Sequence, residues 1–249
     1  MSRVAYLDLD GTLLGPGGVL LRGADGRFSD AGVRALARLA EAGVPTVLVS
    51  GRAAGHLREA ARMLGAAGAL PELGALDAGY PVSDGQSVYE AIAATGVPER
   101  LLAHEPGLQV HPATVGLREG THCFRGRASE GAVDFVARTS GGALRLVDNG
   151  VIDRRGSRVY HLSPAGASKA TAVARDIEGR GADASSCLAV GDSPEDLRIA
   201  EVVGHFALVS NALAANGGHL IDPDGVWVTS GAYGAGVLEA VEDWLDGRR

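Results

Sequence analysis

Two aspartates stand two residues apart where an apolar run ends: Val4-Ala5-Tyr6-Leu7 leads into Asp8-Leu9-Asp10-Gly11-Thr12. Carboxylates at i and i+2, on a strand end that breaks into a glycine turn, converge on one point. Unpaired they repel, so the pattern favours a cation between them. Oxygen-only ligation suits Mg2+, which takes one or two carboxylates and leaves positions for phosphate oxygens. The competing reading is a pair of acids satisfying turn N–H groups. Gly191-Asp192-Ser193-Pro194-Glu195-Asp196 is a second acidic stretch after an apolar run. Ser193 or Asp192 there caps a helix with Pro194 in its first turn, yet one acid suffices for a cap. Ser50-Gly51-Arg52 sets a hydroxyl and backbone N–H groups at a helix start, a cradle for an anion.

The basic residues carry a further signal. Of 23, Lys169 alone is lysine and the others are arginine. It follows the loop Ser163-Pro164-Ala165-Gly166-Ala167 and opens a helix. The helix dipole disfavours a cation there by about 0.3–1 kcal/mol, and a bound phosphate reverses that sign.

These residues need a frame. Short apolar runs at 4–7, 46–49, 187–190 and 205–209 read as strands buried on both faces. Amphipathic helices are expected after Asp30, with Val33, Leu36, Ala37 and Ala40 on the buried face, and over 55–64, 168–178, 194–202 and 237–245. The β-α alternation implies a doubly wound parallel sheet, with a small hairpin over 19–22 and 27–28. From about 79 to 164 the rhythm changes to helices at 86–95, 99–104 and 130–139 and strands at 121–125, 143–148 and 158–162. Asp148-Asn149-Gly150 reads as a hairpin turn and Arg154-Arg155 as a solvated pair beside it. The expected fold is therefore α/β: a Rossmann-like core, residues 1–78 and 165–249, split by an α+β insertion over 79–164. Ligands of such sheets bind beyond the carboxyl ends of the strands, which here read Asp8, Ser50 and Asp192.

Composition narrows the class of protein. The 249 residues are 46% hydrophobic and 21% charged, ordinary for a globular chain. The net charge of −7 argues against nucleic acid or an anionic membrane as partner. No apolar run is long enough to span a bilayer, and charged residues follow Met1 too soon for a signal peptide. With only Cys123 and Cys187 there is no disulfide framework, so a cytoplasmic protein is expected.

In order along the chain, Asp8-Leu9-Asp10-Gly11-Thr12, Ser50, Lys169 and Gly191-Asp192 with Asp196 resemble the four motifs of the haloacid dehalogenase superfamily. The insertion between the second and third resembles a C2-type cap, as in the Cof, mannosyl-3-phosphoglycerate phosphatase and sucrose-phosphatase branch. Pro71-Glu72-Leu73-Gly74-Ala75 and Ser210-Asn211-Ala212 resemble that branch more loosely. The resemblance implies a Mg2+-dependent phosphomonoester hydrolase acting on a small phosphorylated metabolite, a sugar phosphate or phosphoglycerate-type compound. It makes Asp8 the nucleophile that becomes an aspartyl-phosphate and Asp10 the general acid and base. Ser50, Gly51 and Lys169 become phosphate ligands, and Asp8, Asp10, Asp192 and Asp196 the metal set. An acid at position 10 resembles phosphatase or phosphomutase chemistry rather than that of the dehalogenases.

Two other readings stay open: a phosphomutase or phosphotransferase sharing the intermediate, and a retired metabolite-binding module. Capped relatives often carry Asn immediately before the last motif acid. Glu195 stands here instead, and beside a bound phosphate it is repulsive unless it faces Arg52, Lys169 or solvent. His104, His111, His122 and His161 lack metal-site spacing and are expected to pack, although His122 and His161 fall on cap strands, leaving a substrate contact open for one. Arg118, Arg125 and Arg127 are candidates for a substrate carboxylate or second phosphate. The sequence names neither the substrate nor the oligomeric state.

Overall fold

The computed structural model describes residues 2–151, 156–215 and 226–249. The apolar N-terminal run forms β1 (Ala5–Asp8), and β2 (Thr46–Val49) lies parallel beside it with Ala5 opposite Thr46 and Asp8 opposite Val49. On its other side β1 pairs with β8 (Leu188–Gly191). With β3 (Gly68–Leu70), β9 (His205–Leu208) and β10 (Trp227–Val228), the six-stranded parallel order is β10-β9-β8-β1-β2-β3. The chain winds outward in one direction from β1 to β3 and in the other from β8 to β10. Its topological switch thus lies between β1 and β8, where an open α/β sheet binds ligands. The two acidic stretches, being continuations of those neighbouring strands, must meet there.

Strand period two splits the apolar residues between two layers. Ala5 and Leu7 pack with Leu39, Leu57 and Trp244 beneath α1 (Ala31–Glu41), α2 (Ala54–Met63) and α9 (Gly234–Leu245). Val4, Tyr6 and Val47 pack with Val173 and Ile177 of α6 (Lys169–Arg180) on the opposite face. α1 turns a different face inward from the one its sequence suggests. Ala31, Gly32, Ala35 and Leu39 are buried, while Val33 is 41% exposed. The reason is close helix packing: a Cβ on Gly234 would lie 2.8 Å from the Gly32 nitrogen, so the smallest residues, not the largest, make the contact.

The inserted segment forms an antiparallel sheet of order β4-β5-β7-β6 from β4 (Leu108–Val110), β5 (His122–Gly126), β6 (Leu144–Val151) and β7 (Arg158–Pro164). Three helices, α3 (Val88–Ala94), α4 (Val97–His104) and α5 (Ala132–Thr139), cover one face through Ile92, Leu101, Val136, Phe124, Tyr160 and Leu162. Alternation then sends Cys123, Val159 and His161 to the other face, toward the core.

Several details depart from the expectation. β3 and β4 have three residues each, too short for a period to register. Asp148-Asn149-Gly150 is not a turn. Gly150, at φ +95°, donates its N–H to Asp148 Oδ1 at 3.0 Å, and β6 continues through an irregularity to Val151. The expected helix 194–202 is α7 (Pro194–Leu197) followed by a 3-10 turn, Arg198–Glu201. The Arg154-Arg155 pair lies outside the described residues. Among the described residues no helix is long and apolar enough to cross a membrane.

Because backbone atoms cannot withdraw from an added methyl, Gly234→Ala is expected to lower stability by about 1–3 kcal/mol in urea unfolding. Val33→Ala, on the exposed face, is expected to change it by less than about 0.5 kcal/mol.

Candidate active site

Lys169 is the first residue of α6 and is 2% exposed. Ser168 and Thr171 form a capping box that fixes where the helix begins and therefore where the lysine points. Its Nζ donates to Asp8 Oδ1 and to Asp196 Oδ1, each at 2.7 Å. Burial works against the ammonium, but Asp196 and Asp8 more than offset it and hold its pKa above the usual lysine value.

Asp196 has both oxygens engaged, since Oδ2 accepts from the Asp192 and Ser193 N–H groups and from Ser193 Oγ. Asp8 has one oxygen left over: Oδ2 is buried and has no hydrogen-bond partner among the described residues. The carboxyl group of Asp8 is pushed up to about 7 by burial, against the pull of Lys169, with Asp196 and Asp10 adding to the rise. Burial likewise raises Asp192 well above the carboxylate range, aided by Asp8 and Asp196. Oxygen atoms of Asp8, Asp192 and Asp196 lie within 4.8 Å of one another. Close acids with raised pKa values and an orphaned buried oxygen are an all-oxygen donor set short of positive charge, and Mg2+ fits that set. Gly11, at φ +89°, makes room for it: a Cβ there would fall 2.1 Å from Asp192 Oδ2.

Asp10 points elsewhere. Its carboxylate forms a bidentate pair with Arg52, Nε to Oδ2 and Nη2 to Oδ1 both at 2.7 Å, at the cleft rim. Ser50 is buried, and its Oγ accepts from the Arg52 N–H at 3.2 Å, so that backbone donor is already used. Gly51 faces the cleft beside it. Asp8, Asp10, Ser50, Gly51, Lys169 and Asp192 all line one cavity of about 960 Å³ between core and cap, whereas Asp196 stands behind Lys169.

Three further residues hold this arrangement together without having been singled out for it. Glu72 and Leu73 take left-handed backbone conformations (φ 52° and 57°), and Gly74 continues the turn. A Cβ on Gly74 would meet Ala172 of α6 at 2.7 Å, so the loop lies directly against the lysine helix. The strain is held by the Glu72 carboxylate, fully buried, which accepts from the backbone of Ala54, Glu119, Gly120 and Thr121 and from Thr121 Oγ1. An acid inside the otherwise apolar stretch 66–76 was the available signal. Glu195 finds neither Arg52 nor solvent. It accepts from Arg145 Nη2 of β6 at 2.6 Å and from the Lys169 backbone N–H at 3.3 Å, and so joins the cap to the lysine helix. Arg118 donates to the Gly51 carbonyl, Thr121 Oγ1 and His161 Nδ1, with Glu72 3.7 Å away.

No protein-family model matches the chain. A phosphoglycolate phosphatase of Methanothermobacter thermautotrophicus is 28% identical, over 98% of this chain and 99% of that protein. The sucrose-phosphatase of Synechocystis, solved with sucrose and phosphate, has a TM-score of 0.66 at 14% identity, over 98% of both chains. A haloacid dehalogenase-like hydrolase of Bacteroides thetaiotaomicron has a TM-score of 0.65 at 17% identity, over 97% of this chain and 99% of that one. The fold is a Rossmann-like core whose cleft is roofed by an inserted α+β cap. The chain has the fold of the haloacid dehalogenase-like hydrolases among these solved structures, a parallel core sheet with an inserted α+β cap.

The electrostatics fix opposite signs for two substitutions. Asp192→Asn removes a carboxylate that the fold disfavours at neutral pH, and is expected to raise the melting temperature of the metal-free protein. Lys169→Met leaves Asp8 and Asp196 buried without their cation and is expected to cost about 3–5 kcal/mol in denaturant unfolding at pH 7.

Proposed function

We propose that the protein is a haloacid dehalogenase-type phosphatase that hydrolyses a small phosphorylated metabolite, with Mg2+, through an aspartyl-phosphate on Asp8. The observation that carries the reading is the Lys169 ammonium, 2.7 Å from Asp8, beside a carboxylate oxygen of the same aspartate that has no partner among the described residues. The relative whose length this chain matches is named as a phosphoglycolate phosphatase, which makes phosphoglycolate the first substrate to test.

In this mechanism Asp8 attacks phosphorus and the ester P–O bond breaks. Asp10 passes its proton to the leaving alkoxide, then takes one from the water that attacks the phosphorylated Asp8. Cleavage of the acyl phosphate P–O bond frees inorganic phosphate and restores both aspartates. Lys169 and the Ser50–Gly51 segment bind the phosphoryl oxygens, and Asp196 fixes the lysine in place. Arg52 holds the Asp10 carboxylate at the rim, and Asp10 takes up the proton it delivers only when it leaves that pair. Asp8, Asp192 and the Asp10 carbonyl would hold Mg2+, with Asp196 completing the acidic cluster. The ion supplies charge compensation for an anion approaching a dianion.

Phosphate release from phosphoglycolate is expected with Mg2+ and not with excess EDTA. Asp8→Asn is expected to lower kcat by about 10³-fold or more, and a variant that keeps near-normal turnover would overturn the mechanism. The cation also has a pH signature. An acid whose carboxyl is pushed up to about 7 is proton-occupied below that pH and free above it. Mg2+ is therefore expected to raise the melting temperature at pH 8 and to lose that effect toward pH 5, as read by scanning calorimetry.

A further inference from the structure

His161 lies on β7 of the cap and is 1% exposed. Its Nδ1 is 3.3 Å from Arg118 Nη1. A guanidinium has only donors, so Nδ1 must accept, and the proton of the neutral imidazole must then be on Nε2. Burial, together with Arg118 and Lys169, holds the ring well below the usual histidine pKa, in keeping with that neutral form. Arg118 cannot swing away to release it, because the same Nη1, its two hydrogens shared among three acceptors, also lies 3.0 Å from the Gly51 carbonyl and 2.8 Å from Thr121 Oγ1. The tautomer is fixed by the surroundings.

The Nε2–H has no partner among the described residues, although the side chain is almost wholly buried. It faces the cleft directly above Gly51: a Cβ built there would lie 3.2 Å from His161 Nε2 and 3.2 Å from Asn149 Nδ2. Two nitrogen donors from two cap strands thus converge over one residue of the phosphate cradle, and neither has an acceptor among the described residues. A pair of donors with no acceptor between them matches a group that only accepts, which a carboxylate is and a hydroxyl is not. Its position matters as well. Resting on Gly51, such a group lies beside the phosphoryl site itself, so the leaving group it belongs to is short.

On the reading of the proposed function, we propose that His161 is a specificity-determining residue whose Nε2–H, with the Asn149 amide, receives the carboxylate of a small phosphorylated hydroxy acid. Arg118 is the positioning residue that sets the tautomer. Selectivity then comes from the cap and chemistry from the core, and an ester without a carboxylate is disfavoured because it leaves two cleft-facing donors unpaired.

The test compares phosphoglycolate with ethyl phosphate, which keeps the two-carbon skeleton and lacks the carboxylate. The wild-type kcat/KM ratio is expected to favour phosphoglycolate. His161→Leu is expected to cut that ratio about 10- to 100-fold. His161→Gln, which keeps an N–H donor near the Nε2 position, is expected to recover part of it, with melting curves confirming that both variants fold. An absent wild-type preference, or a ratio unchanged in His161→Leu, overturns the inference and leaves the phosphatase reading standing. Should the wild type hydrolyse neither ester, that reading fails. Calorimetric affinities of the two esters for the same three proteins then decide: selectivity lost in the leucine variant supports the subsite, and equal affinities throughout overturn it.

Discussion

A single ammonium, that of Lys169, is held out of solvent between Asp8 and Asp196, and much of the molecule serves that contact. Buried charge is expensive unless every partner is placed. The placement draws on three separated parts of the chain: the end of β1, the first turn of α6 and the loop after β8. The parallel pairing of β1 with β8 brings the two acidic segments together, and the Ser168 capping box delivers the lysine to them. The balance is incomplete by design of the sequence. Three carboxylates share one cation; burial first, and then their mutual repulsion, raises the pKa of Asp8 and Asp192, and a divalent ion would offset both.

The second constraint is where cap meets core. Glu72 gathers donors from the core helix α2 and from cap residues 119–121, and it holds a left-handed turn packed on α6. Glu195 bonds Arg145 of the cap while accepting the backbone N–H of Lys169 itself. Both acids therefore link the position of the cap to that of Lys169. An acid at position 195 is unwelcome beside phosphate, but here its charge is turned away and neutralised by an arginine from the inserted segment.

Legibility followed sequence distance. The chemistry-bearing residues were readable because each is unusual where it stands: acids at the ends of apolar strands, a lone lysine in a chain that otherwise uses arginine. The parallel core was readable because strands buried on both faces give unbroken apolar runs. The α1 face was not, because the contact is made by Gly32 and Gly234, and glycine carries no hydropathy signal. The Asp148-Asn149-Gly150 segment carried a turn signature that strand pairing overrode, turning it into an irregularity within β6.

The sequence alone therefore determined the class of fold, the order of the segments that build the cleft and the kinds of group they bring, since these depend on local pattern and residue chemistry. Tertiary structure decided the pairings: Asp10 with Arg52, Glu195 with Arg145, and His161 with Arg118 and hence which of its nitrogens bears the proton. Hydrogen bonds and burial set those outcomes, and both depend on atoms that approach one another only after residues tens of positions apart have been packed together.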